Sequence, residues 1–195
     1  GEACAAVLEA APSLVRIGHT SGASTLAPLE PATRAGVAAF SLHPLQTIPD
    51  GTADLVGSPA AVAGSDPAAL AFASELAARL GMAPFEVPED SRAAYHAAAS
   101  IASNFLVALG SSATELLDAA GIENGRELLA PLVLRSAANW AESGDAALTG
   151  PIARGDEATV ERHRAALAAH APHLHELYAA LADRTRAIAR EEARA

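Results

Sequence analysis

The residues from Asp90 to Gly121 constrain this chain more than any other stretch, because they read as one long helix that is apolar on nearly every face. Such a helix must be buried on every face. Its polar groups Tyr95, His96, Ser100, Ser103 and Asn104 then need partners. At about 100° per residue, His96, Ser100 and Asn104 step round by only about 40° each and share one stripe. That stripe is either a structural hydrogen-bond ladder or one wall of an active site. Asp90 or Ser91 is placed to cap the helix, and Pro88 marks the break before it. Small residues, with Gly110-Ser-Ser in mid-helix, would admit a second helix at close range, as in the middle of a bundle or a dimer core.

Composition narrows what the helix can belong to. With 195 residues, 51% of them hydrophobic, there is material for one large domain or two small ones. The formal net charge is -10 and no lysine occurs, which argues against nucleic-acid binding and excludes a lysine Schiff base or a lysine general acid. Cys4 is the single cysteine, so no intrachain disulfide forms. No long uninterrupted apolar segment is read as a membrane span, no signal peptide is visible, and a cytoplasmic location is expected. The chain opens Gly-Glu-Ala-Cys, without Met and inside what reads as a helix, so residues are expected to be missing before it.

In chain order, Glu2 to Ala11 reads as a helix, Leu14-Val-Arg-Ile as a buried strand, and Thr25 to Ala35 as a weak helix interrupted by Pro28 and Pro31. Further strands are expected at Gly36-Val-Ala-Ala-Phe-Ser-Leu, Ala60-Ala-Val-Ala and Ala83-Pro-Phe-Glu-Val, the last weakened as a central strand by Pro84. Asp66-Pro-Ala-Ala opens a helix running to Leu80, with Pro67 where its missing N–H does no harm. After Glu89 no strand pattern returns: helices are expected over 124–142, from Asp156 to about His170, and from Pro172 onward. Strands alternating with helices predict a mainly parallel α/β layer over 1–88, followed by an all-α unit over 89–195.

Open parallel sheets bind ligands beyond the carboxyl ends of their strands. Both convincing strands end in a polar, histidine-bearing turn, Ile17-Gly-His-Thr-Ser-Gly and Leu42-His-Pro-Leu-Gln-Thr. His19 and His43 either bond nearby backbone or stand beside His96, where a neutral imidazole can exchange a proton near pH 7. Nothing in the histidine spacing supports a metal site, and none is expected. The set His163, His170, His173 and His175 reads as a solvated helix junction. Gly18-His-Thr-Ser-Gly is one residue off a nucleophile elbow and is rejected as one. Leu148-Thr-Gly-Pro-Ile-Ala-Arg-Gly-Asp is either a turn leading to the Asp156 cap or a loop placing Arg154 against an anionic group.

Four motifs in order carry a resemblance over essentially the whole chain: Gly-His-Thr-Ser-Gly, Ser-Leu-His-Pro-Leu-Gln-Thr, Tyr-His-Ala-Ala-Ala-Ser-Ile-Ala-Ser-Asn-Phe and Leu-Thr-Gly-Pro-Ile-Ala-Arg-Gly-Asp. The chain resembles the Rossmann-like proteins with a C-terminal helical domain of unknown function. That group is similar to pyrroline-5-carboxylate reductases, deazaflavin-dependent NADP reductases and, more distantly, 6-phosphogluconate and 3-hydroxyisobutyrate dehydrogenases. The resemblance implies a partial Rossmann-like NAD(P)-binding domain over 1–88 with its first half missing, and a 6-phosphogluconate dehydrogenase-like helical domain over 89–195 that dimerises. The family's phosphate-binding Gly-x-Gly-x-x-Gly turn does not occur in this chain. Where the dehydrogenase relatives use a lysine, this chain has His96, with Ser100 and Asn104 following at one and two turns.

The resulting expectation is a cytoplasmic homodimer using NADP or NAD to move hydride to or from a small carbonyl, imine or hydroxyl compound, without nucleic-acid or membrane partners. His96 exchanges the proton, and Ser100 and Asn104 orient. His19, Thr20, Ser21, Gly22, His43 and Pro44 line the cofactor, while Tyr95 and Arg154 meet the substrate. The competing class is a non-catalytic ligand-binding or interaction protein on a degenerate dinucleotide fold.

Overall fold

The apolar segments before Pro88 pair into one four-stranded sheet: β1 (Arg16–His19), β2 (Ala38–Pro44), β3 (Pro59–Gly64) and β4 (Ala83–Glu86), in spatial order β1-β2-β3-β4. The computed structural model describes residues 2–194 and divides into two compact units, one up to Asn104 and one from Phe105 on. The α/β layer followed by helices agrees with the sequence reading, and two of the three strand pairings are parallel, but the central one is antiparallel. β1 and β3 run parallel to β2 and β4 respectively, while β2 and β3 are antiparallel. The reason lies in the connections. A parallel return needs a long crossover, usually helical, and the stretch between β2 and β3 contains no helix.

Helices fill the other two connections. Between β1 and β2 lie a 3-10 turn at Ala27–Leu29 and the short α2 (Glu30–Arg34); between β3 and β4 lies α3 (Pro67–Arg79). Asp66 caps α3 as expected, its Oδ1 accepting the Ala69 N–H at 2.9 Å. Ala69, Ala73 and Ala77, one turn apart, are fully buried and seat α3 on β2, β3 and β4 through Leu42, Val62 and Met82. A second cluster joins α1 (Glu2–Ala10) and α2 to the sheet through Cys4, Leu29, Ala32, Val37 and Ala39. Side chains alternate along a strand, so Ala39, Ser41 and His43 share one face of β2. Pro84 sits in β4 at the sheet edge, where a missing N–H is tolerated.

The long apolar helix is two helices. A 3-10 turn (Glu89–Ser91) leads into α4 (Arg92–Ala102), and α5 (Asn104–Ala119) begins after Ser103, which is distorted to φ -117 and ψ -73 while still donating to Ala99 O at 3.0 Å. Neither Asp90 nor Ser91 makes the expected cap; the Ser91 hydroxyl bonds the Asp90 carboxylate instead, at 3.1 Å. Burial on every face is also corrected: Ile101 is 63% exposed, Phe105 56% and Val107 70%. So is the expectation of no segment suited to a membrane. By length and composition alone, residues 89–119 are long and apolar enough to cross one, with none of that window buried.

After α5, the second unit comprises α6 (Gly125–Ser143), α7 (Glu157–His170) and α8 (His175–Glu192). Asp156 caps α7, accepting the Thr159 N–H at 3.0 Å. The C-terminal histidines do more than face solvent. His163 bonds Tyr178 of α8 at 2.9 Å, while His170 and His173 reach Ala119 O and Glu115 of α5 at 3.1 and 2.8 Å.

Candidate functional site

The site is built where β2 meets α4, both in the first unit. Period-two alternation puts Ser41 and His43 on the same face of β2, and helical spacing puts Arg92, Tyr95 and His96 on the face of α4 turned toward them. Arg92 is the anchor. Its side chain is 1% exposed, and Nη2 donates to the Ser41 hydroxyl, itself fully buried, at 2.7 Å. Its Nε lies 3.5 Å from Glu89 Oε1 without hydrogen-bond geometry, and Nε and Nη1 have no hydrogen-bond partner. Glu89 in turn accepts the Leu26 N–H at 3.2 Å, tying the loop after β1 to the start of α4.

One turn along α4, three rings converge. His43 Nδ1 lies 2.8 Å from Tyr95 Oη, with the two rings edge to face at 5.6 Å between centroids. His96 approaches the same imidazole at 5.9 Å and 63° between planes, and Phe85 closes the far side of Tyr95 at 5.9 Å. The loop after β1 covers the pair of imidazoles. Gly22 is buried, and a Cβ there would stand 2.7 Å from the His43 ring (Cε1 and Nε2) and from His96 Cδ2. Only a residue without a side chain fits at that point.

Charge in this cluster is set by its surroundings. Burial, the His96 imidazole and the Arg92 guanidinium, in that order, hold His43 below the usual imidazole range. Burial pushes the Tyr95 phenol up, partly offset by Arg92. At neutral pH the pair is therefore a neutral imidazole facing a protonated phenol, an arrangement suited to passing protons rather than holding charge.

The predicted residues divide accordingly. Tyr95, His96, His43 and Gly22 are brought together. Ser100 is half-buried one turn beyond His96, whereas Asn104 is exposed and follows the break at Ser103, so the expected three-residue stripe is interrupted. His19 has no ring nitrogen to offer: Nδ1 accepts the Ser21 N–H at 3.2 Å and Nε2 reaches Thr25 O at 3.0 Å. The Ser21 hydroxyl is also committed within the loop, donating to Ser24 Oγ at 2.8 Å and accepting the Ser24 N–H. Thr20 is exposed at the end of β1, and Pro44 is half-buried at the end of β2. Arg154 belongs to the second unit, where with Asp145, Leu148, Thr149 and Glu192 it lines an open groove of about 420 Å³. Among the described residues no three His, Cys, Asp or Glu side chains gather as a metal site would require.

Sequence reading overlooked Arg92, Glu89 and Ser41. The first was within reach: carrying the stripe of His96 and Ser100 back by one turn arrives at Arg92. Nothing in the sequence pairs Ser41 with it.

Comparison with known proteins gives a family and a fold. The model of a family described as a domain of unknown function (DUF2520) matches residues 58–185, more than half of the chain. The structure is similar to that of a Bacteroides fragilis protein provisionally named an NADP oxidoreductase, with a TM-score of 0.75, 24% identity and 88% of this chain covered. This chain spans 64% of that one. It is also similar to a Thermotoga maritima protein, TM1727, with a TM-score of 0.72 and 25% identity over 90% of this chain and 69% of that one. No curated protein matches.

Proposed function

We propose that this chain, which belongs to the DUF2520 family, is an NAD(P)-dependent oxidoreductase acting on a small carbonyl, imine or hydroxyl compound as a cytoplasmic homodimer. One observation carries this reading: imidazole and phenol groups converge at the carboxyl end of β2, within a fold like that of the Bacteroides protein named for NADP. His96 exchanges the substrate proton and Ser100 orients it, while Tyr95 meets the substrate.

The residues present fit the ring end of a nicotinamide cofactor. Thr20 is exposed at the end of β1, and Gly22 lets backbone lie directly against His43 and His96. With His19, Ser21 and Pro44 they would line the nicotinamide, which would supply or accept hydride when bound. No residue of this chain is assigned to the pyrophosphate, because no Gly-x-Gly-x-x-Gly turn is present to cradle it. NADP is preferred to NAD on the name of the Bacteroides protein alone.

The exposed apolar residues of α5 and α6, among them Phe105, Val107, Leu128 and Leu132, support association of two copies through the helical unit. They equally support the second reading, a non-catalytic ligand-binding dimer on the same fold. Titrating the protein with NADPH and NADH, then screening carbonyl and imine substrates, separates the two. Saturable NADPH binding and reduction lost in His96→Ala support the enzyme. A dimer that binds neither nucleotide supports the alternative.

A further inference from the structure

We infer that Tyr95 and His43 form a two-group proton relay, in which the Tyr95 hydroxyl donates to His43 Nδ1 so that Nε2 carries the proton delivered to a carbonyl oxygen. The inference rests on the oxidoreductase reading for its substrate, but not for its geometry. It transfers the proton-donating role from His96 to His43, otherwise a cofactor contact, and it moves Tyr95 from a substrate contact to a positioning residue behind His43.

Three observations lead to it. The first is direction. Only 2.8 Å separates Tyr95 Oη from His43 Nδ1, so one of them donates to the other. A phenol O–H is a stronger acid than a neutral imidazole N–H, and an imidazole nitrogen a stronger base than a phenol oxygen. The phenol is therefore the donor, and the ring holds its proton on Nε2. The second is aim. Nε2, with Cε1 beside it, is the His43 nitrogen against Gly22, each 2.7 Å from where a Cβ there would stand.

The third is the charge behind the pair. Arg92 is buried, bonds only a neutral hydroxyl, and lies 3.5 Å from a half-exposed Glu89 carboxylate, leaving two guanidinium nitrogens without a hydrogen-bond partner. Its field reaches both His43 and Tyr95. The guanidinium thus offsets part of the burial that opposes negative charge on Tyr95, and it opposes positive charge on His43.

The step balances with hydride that a bound nicotinamide would supply to the carbonyl carbon. The Nε2–H bond breaks as an O–H bond forms on the alkoxide developing from the carbonyl. The Oη–H bond of Tyr95 breaks as an Nδ1–H bond forms, and the electron pair remains on the phenolate oxygen. His43 stays neutral throughout. An alkoxide is far more basic than a phenolate, whose parent phenol has a pKa of about 10, so the transfer runs downhill. The same field disfavours a cationic iminium, so the substrate is a neutral or anionic carbonyl compound.

Long-range proton–nitrogen correlation spectra of the nitrogen-15-labelled full chain near pH 7.5 test the relay directly, with His43→Gln identifying the ring. The expected result is a protonated Nε2 and a bare Nδ1 whose resonance is displaced by an accepted hydrogen bond. Tyr95→Phe should return that resonance to the position of an unbonded nitrogen. A neutral ring protonated on Nδ1, or a Nδ1 resonance unmoved in Tyr95→Phe, would overturn the relay.

These spectra need neither nucleotide nor substrate. The relay signature in a protein that turns over nothing with NADPH therefore counts against the oxidoreductase reading alone. Where turnover is found, Tyr95→Phe should lower kcat on a ketone or aldehyde by about 100-fold with KM nearly unchanged. Turnover confined to cyclic imines would overturn the carbonyl assignment.

Discussion

The two units place their awkward groups on opposite sides. Up to Asn104, polar atoms are inside: Arg92 is 1% exposed and Ser41 wholly buried, within a frame where Ala39, Ala60, Ala69, Ala73 and Ala77 are all shut from solvent. From Phe105 on, Val160, Leu167 and Ala182 are buried, but α5 and α6 turn apolar atoms outward. No residue of α5 is buried, and Leu128, Leu132, Leu134 and Trp140 of α6 all exceed half exposure. A buried polar group costs free energy unless it is matched, so its retention marks chemistry or a demanding structural bond. A broad exposed apolar surface marks association. The first unit is thus organised around a site and the second around a surface.

If that contrast is right, the largest effect of substitution should be on assembly. Replacing Phe105 and Val107 together by Glu is expected to weaken self-association by about 1,000-fold, roughly 4 kcal/mol, as measured by sedimentation equilibrium. A wild-type chain that is monomeric at high concentration would remove the second half of the comparison. Next comes the anchor of the first unit. Arg92→Ala leaves the Ser41 hydroxyl unpaired and opens a void, so urea denaturation should show a loss of about 3 kcal/mol.

Two glycines sharpen the same contrast at smaller scale. Gly22→Ala drives a methyl group to 2.7 Å from both imidazoles and is expected to cost about 2 kcal/mol. Gly110→Ala meets nothing within 4 Å in the single chain and lies inside α5, so it should stabilise an isolated chain by up to about 1 kcal/mol. Should the face around Gly110 be covered in a dimer, the same change would instead weaken association.

The smallest effect is the pH response of His43, faced by Arg92, His96 and Tyr95. Its folded pKa is depressed, so the unfolded chain binds the proton more readily. Stability should hold above the ordinary imidazole range and fall as pH drops below about 6.5 toward the folded pKa. The decline should be shallower in His43→Gln, read as the urea midpoint against pH.

Much of the architecture was legible because it rests on short-range rules. The strand segments, the Asp66 and Asp156 caps and the edge position of Pro84 follow from local pattern. The direction of β3 was not legible, since it depends on how a helix-free connection returns rather than on the strand itself. The meeting of His43 with His96 was within reach, because both histidines sit where strand and helix spacing aim them. For His19 the first of the two readings, bonding to nearby backbone, holds because its loop turns tightly enough to engage both ring nitrogens. The long helix was over-read, since periodicity does not register the distortion at Ser103.

That interruption has a consequence for how the molecule can change over time. Every ring and guanidinium of the cluster precedes it, and every apolar residue of α5 follows it, so a lineage is free to vary the α5 surface without disturbing the packed rings.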